Sequence, residues 1–166
     1  MHAKVRLELN NHIGELIASR QAKNAVMRAG GELIAKLFAG QGAAITHMGV
    51  GTDDAPESET FNTAQLTNEM AGDTPGLSGL TEVALPPEAF HLIPDETQRI
   101  IKVRVRGTLP ANAAVGTVRE AGLLSKSGGS TILYNRVTFA PIIKADDHEL
   151  TMFWEITFPY GDLQWF

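Results

Sequence analysis

The stretch RIIKVRVRGTL, residues 99–109, sets Ile101, Val103 and Val105 on one side of an extended chain and Lys102, Arg104 and Arg106 on the other. Successive side chains of a strand point to opposite faces, so this run fits a sheet with one apolar and one charged face, and it fits no helix. The same period recurs at both ends of the chain. KVRLEL opposes Val5, Leu7 and Leu9 to Lys4, Arg6 and Glu8, and HELTMFWEITF opposes Leu150, Met152, Trp154, Ile156 and Phe158 to Thr151, Phe153, Glu155 and Thr157. TVREAGLLSKSGGSTILYNRVTFAPIIK reads as two strands around the hairpin signal KSGGS, and AAITHMGVG as one more short strand.

One segment carries a different period. ELIASRQAKNAVMRAGGELIAKLFAG reads as mainly helical, with Val26, Leu33, Ile34, Leu37 and Phe38 close to one face, Gly40 as the stop, and a start anywhere from His12 to Ala22. The pair Gly30-Gly31 predicts a close packing contact or a break. TDDAPESETFN is a loop, TAQLTNEM a helical turn or a strand, and AGDTPGLSG a turn-rich connector. The fold class is therefore α+β, mainly β: an antiparallel sheet or β-sandwich with an N-terminal amphipathic helix packed on it. With 166 residues, one domain is expected over 21–158, preceded by an arm or strand over 1–20 and followed by an aromatic tail over 159–166.

Composition narrows the chemistry. There are no cysteines, which removes disulfides, thiolate catalysis and cysteine metal sites. A net charge of −5 argues against a dedicated nucleic-acid binder, and no apolar run approaches a membrane span. The N-terminus lacks the apolar stretch of a signal peptide, which points to a protein made or assembled in the cytoplasm.

Gly49 and Gly51 invite a phosphate-loop reading, but Asp54 stands where a third glycine belongs, Asp53 adds a second carboxylate, and no Gly-Lys-Ser or Gly-Lys-Thr ending follows. The stretch reads as a strand running into an acidic turn. Asp53, Asp54, Glu57 and Glu59 offer hard oxygen ligands without calcium-loop spacing, so a solvated loop is favoured over a metal site. The five histidines show no zinc spacing, and no serine sits in a nucleophile elbow. Glu120 and Glu155 fall on separate predicted strands, where carboxylates mostly face solvent. No catalytic residue, cofactor or metal is assigned. Two features stand out instead. Arg99, Lys102, Arg104 and Arg106 form a basic stripe that reads as a solvated face or as a patch for an acidic partner surface, the acidic loop of a neighbouring copy among the candidates. The tail holds Tyr160, Trp165 and Phe166, aromatics that either fold back on the core or dock on a neighbour.

Several of these segments, in this order, resemble a group of small structural proteins of bacteriophage tail modules and phage-derived tail-like particles. The likeness spans about Asn24 to Phe158 and rests on I-x-x-M-G-V-G-T followed by A-P and N-E, then R-E-A-G-L and W-x-I-T-F. It implies a virion component at the tail, baseplate or fibre attachment, working as an oligomer with other virion proteins and without a catalytic centre. It implies an assembly site in the cytoplasm of a bacterial host. A capsid decoration or neck protein is the near alternative. The rival from another class is a carbohydrate- or surface-binding sandwich module, with Trp154, Tyr134, Tyr160 or Trp165 stacking on sugar rings.

Overall fold

The computed structural model describes residues 2–70 and 74–161. Among them, eleven strands form two antiparallel sheets. The strands are β1 (His2–Asn10), β2 (Leu16–Lys23), β3 (Ala25–Val26), β4 (His47–Gly51), β5 (Glu82–Ala84), β6 (Phe90–Asp95), β7 (Ile100–Leu109), β8 (Gly116–Ser127), β9 (Ser130–Leu133), β10 (Asn135–Lys144) and β11 (Glu149–Pro159). The first sheet runs β2-β1-β11-β7-β6; the second runs β3-β10-β8-β4-β5, with β9 continuing along β8.

The alternating runs become the inner face of the first sheet. Register lines up Val5, Trp154 and Val105 in one row across β1, β11 and β7, Leu7, Met152 and Gly107 in the next, and Leu9, Leu150 and Leu109 in a third. These side chains share one core with Met48, Val50, Val118, Ala121, Leu123, Val137 and Ile142 of the second sheet. A methyl at Gly107 would run into Met48, so the missing side chain is what lets Met48 cross to the opposite sheet. The strand β10 leaves β8 between Thr138 and Ile142, where Pro141 has no amide hydrogen to give. The freed carbonyls of Ala140 and Pro141 accept the Arg20 guanidinium at 3.1 and 3.0 Å, which straps β2 to β10 across the open side.

The leading helix needs correction. The only described α-helix, α1, covers Arg28–Phe38, and two long strands precede it rather than a helix. Residues 16–23 carry good helix formers, but their Ala18 and Ala22 pack on the core while β1 supplies a full ladder of hydrogen bonds. Tertiary pairing overrides propensity here. Of residues 1–20, expected as an arm or strand, 2–10 form β1 and 16–20 begin β2, and β1 is paired along both edges. Within α1, Gly30 lies directly on the Tyr134 backbone, which is the close contact expected of the glycine pair. Because α1 touches the body mainly there and through buried Leu33, its apolar face is narrower than expected, and Phe38 is 96% exposed. Gly40, at φ +72°, follows the end of the helix as anticipated.

Candidate functional site

The strand β4 and the acidic segment after it meet β8 and β10 at a buried ion cluster. Gly49 pairs with Gly122 and Gly51 with Glu120 across β4 and β8. Leu66 comes within 3.2 Å of where a side chain at Gly49 would start and 3.5 Å of where one at Gly122 would start. At Gly51 a methyl would meet both the Glu120 carboxylate and the Thr67 carbonyl. This glycine stripe is thus a track on which the segment 52–69 lies against the outer face of the second sheet.

Arg136 of β10 organises the cluster, with its side chain only 2% exposed. Its Nε donates to Glu120 Oε2 at 2.6 Å, and Nη1 donates to Glu57 Oε1 at 2.6 Å and to the Ala55 carbonyl at 2.9 Å. Nη2 donates to the Asp53 carbonyl at 3.0 Å and lies 3.4 Å from the Asp53 carboxylate. The other oxygen of Glu120 accepts the Thr67 amide at 2.7 Å, and that of Glu57 accepts the Thr63 hydroxyl at 2.7 Å. Thr52 closes the segment on itself, its hydroxyl donating to the carbonyls of Thr67 and Glu69. Asp54 takes Arg119 at 2.9 Å.

Burial raises the Glu120 carboxyl above its ordinary range, although the Thr67 amide and Arg136 pull it back. Burial would lower Arg136, but hydrogen bonds and charge from Glu120 and Glu57 outweigh it and hold the guanidinium above its ordinary value. A guanidinium offers no lone pair, and each nitrogen of this one already donates within the fold. The arrangement clamps a long loop on a sheet.

The acidic residues therefore separate. Asp53, Asp54 and Glu57 are engaged within the chain, and Glu59 is exposed. Glu120 is fully buried, against the solvent-facing position expected of it, and it is not near Glu155, which lies on the outer face of the other sheet. Sequence reading missed Arg136 and Arg119 as partners. Folding the predicted hairpin about Gly128-Gly129 brings Glu120 level with Thr138, two residues from Arg136, and that opposite-charge coincidence was the available signal.

On the first sheet the basic stripe is divided. Lys102 lies 3.5 Å from Asp95, and Arg104 donates to Glu155 at 3.0 Å. Arg106 lies over one side of the Phe153 ring at 5.6 Å. Arg99 adopts a positive φ of 54° in the β6–β7 turn, and its carbonyl accepts the Tyr160 amide. Tyr160 is 42% exposed, and Trp165 and Phe166 lie outside the described residues. Trp154 and Tyr134 are both buried in the core. His47 sits in β4 with Nδ1 2.8 Å from the Thr46 hydroxyl, a hydrogen-bonded position within the sheet. Comparison of the chain with protein-family models, with curated proteins and with solved structures finds no match.

Proposed function

We propose that this chain is a non-catalytic structural subunit of a phage or phage-like virion, belonging to the tail, baseplate or fibre attachment. It would be assembled in the bacterial cytoplasm with other copies of itself and other virion proteins. The observation that carries the reading is the use made of the residues behind the resemblance. Gly49, Gly51 and Thr52, then Arg119, Glu120 and Gly122, all converge on fastening the loop 52–69 to the second sheet. Motif residues consumed by architecture suit a part whose task is to hold shape among neighbours. The sugar-binding alternative loses two of its four aromatic candidates, since Trp154 and Tyr134 are buried.

The test is immunogold electron microscopy of particles released from a bacterium that expresses the chain, using an antibody raised against it. Label concentrated on one tail substructure is the expected result. Particles that stay unlabelled, with the chain left in the supernatant, would refute the reading. A capsid or neck label would select the neighbouring alternative.

A further inference from the structure

The outer face of the first sheet is concave and holds a groove of about 790 Å³. Its cations stand in two rows across the strands. Lys23, Lys4, Glu155 and Arg104 form one row, and Arg6, Phe153 and Arg106 the other. Five cations thus face one carboxylate, in a chain whose net charge is −5. Glu155 is already saturated, with Arg104 at 3.0 Å and Lys4 at 3.3 Å. Burial would raise its carboxyl, but these two partners hold it below its usual range. Arg6 and Arg106 flank the Phe153 ring at 4.5 and 5.6 Å, which covers the ring and fixes both guanidiniums. Among the described residues, Lys23 and Arg106 have no carboxylate within ion-pair distance, and Arg6 has only Glu8 on its own strand.

The opposite sign collects at one end of the same sheet. Glu15 in the β1–β2 turn, Asp146 and Asp147 in the β10–β11 turn, and Glu149 are all exposed. The basic groups facing them are two imidazoles and a withdrawn ammonium. His12 lies 3.4 Å and His148 3.5 Å from Asp147, while Lys144 is buried with its ammonium held by the carbonyls of Pro110 and Ala111. Glu149 pairs with Asn10, four residues along β1 from Arg6, so the acidic end starts about 13 Å from the basic groove along the strand axis. The loop 53–59, the acidic element that composition suggests first, is largely spent on Arg136 and Arg119.

We infer that the basic groove receives the acidic end of a second copy, with the β10–β11 turn and its Asp146-Asp147 pair entering beside Arg6 and Arg106. Unlike patches on one chain give a heterologous contact, which closes into a ring or continues as a filament. The inference rests on the structural-subunit reading.

The experiment is light scattering of the full chain and of two charge-reversed variants, Arg6→Glu/Lys23→Glu/Arg106→Glu and Asp146→Lys/Asp147→Lys. The groove variant leaves the Lys4–Glu155–Arg104 row intact, and near-ultraviolet circular dichroism checks both folds. The wild type should exceed the 17.9 kDa of one chain severalfold and fall toward it as salt rises from about 0.05 M to about 0.5 M. Each variant alone should stay at one chain, and an equimolar mixture should regain the wild-type mass, because each then meets its opposite. A variant that assembles as the wild type does, a mixture that stays monomeric, or a wild-type mass indifferent to salt overturns the inference and leaves the virion reading to particle labelling. A wild-type chain that stays single and retains an anionic glycan or an oligonucleotide on this face overturns it in favour of a foreign ligand.

Discussion

Replacing Arg136 by Met keeps much of the side-chain volume and removes the charge that three acidic residues share. Glu120 and Glu57, the former fully buried, would keep their carboxylates without a counter-ion, and the carbonyls of Ala55 and Asp53 would lose their donor. Breaking a buried ion pair from one side costs about 3–5 kcal/mol. For a domain of this size that corresponds to a fall in Tm of roughly 6–20 °C. The loss should also depend on pH with a definite sign. Burial already raises Glu120, and without Arg136 it rises further. In the window above the ordinary carboxyl value of 4.5 the folded variant then holds a proton that the unfolded chain has released, so stability falls as pH rises through that window. Urea unfolding at pH 7 and near pH 4.5 reads both effects, and the gap between variant and wild type should narrow at the lower pH. The double variant Arg136→Met/Glu120→Leu should recover part of the loss, since it removes the stranded charge together with its partner. A loss below about 1 kcal/mol at pH 7, or the same loss at both pH values, would refute the claim that the cluster holds the loop.

Other expectations follow from single contacts. Gly51→Ala should cost about 1–3 kcal/mol in urea unfolding, because the new methyl meets both the Glu120 carboxylate and the Thr67 carbonyl. Adjacent glycines of α1 should answer oppositely to alanine. Gly31 has open space around it and should gain about 1 kcal/mol, whereas Gly30 abuts the Tyr134 carbonyl and should lose stability. The Tyr134 phenol is pushed up to about 12 by burial, so stability present below pH 10 should be lost as pH climbs through about 12. Difference absorbance of the wild type against Tyr134→Phe checks this, and a transition near pH 10 assigned to Tyr134 would count against it.

The parts of this architecture that repeat every two residues were readable in advance. Val5, Leu7 and Leu9, with Leu150, Met152, Trp154 and Ile156, carry their burial in their spacing, because a sheet covered on one side demands it. The segment 16–23 was not readable in that way. Its alanines are as compatible with helix as with strand, and only the partner strand decides; the nearer clue was turn chemistry at Asn11 and Gly14, where Asn11 Oδ1 accepts the amides of Ile13 and Glu15. The ion cluster was half legible. Its acidic members crowd one loop, but Arg136 lies some eighty positions downstream in an apolar strand, and sequence distance hides such a partner. The groove was legible only as one strand's basic face, because Lys4, Arg6 and Lys23 join it through register.

The clamp also sets an order of events for the folding chain. Asp53 meets Arg136 across a separation of 83 residues, and Thr67 meets Glu120 across 53. The complete cluster needs Glu120 on β8 and Arg136 on β10 side by side, so the loop 52–69 is expected to close late, once those strands have paired. Interactions absent from the folding barrier act on the rate of opening. Weakening Arg136 should therefore steepen the loss of the native state while leaving its formation almost as fast, a split that stopped-flow refolding and unfolding would read directly. Until that last closure the segment from Asp53 to Thr67 stays open to proteases. The folded chain's durability is then a matter of kinetics, held by a latch that only the completed pair of sheets can shut.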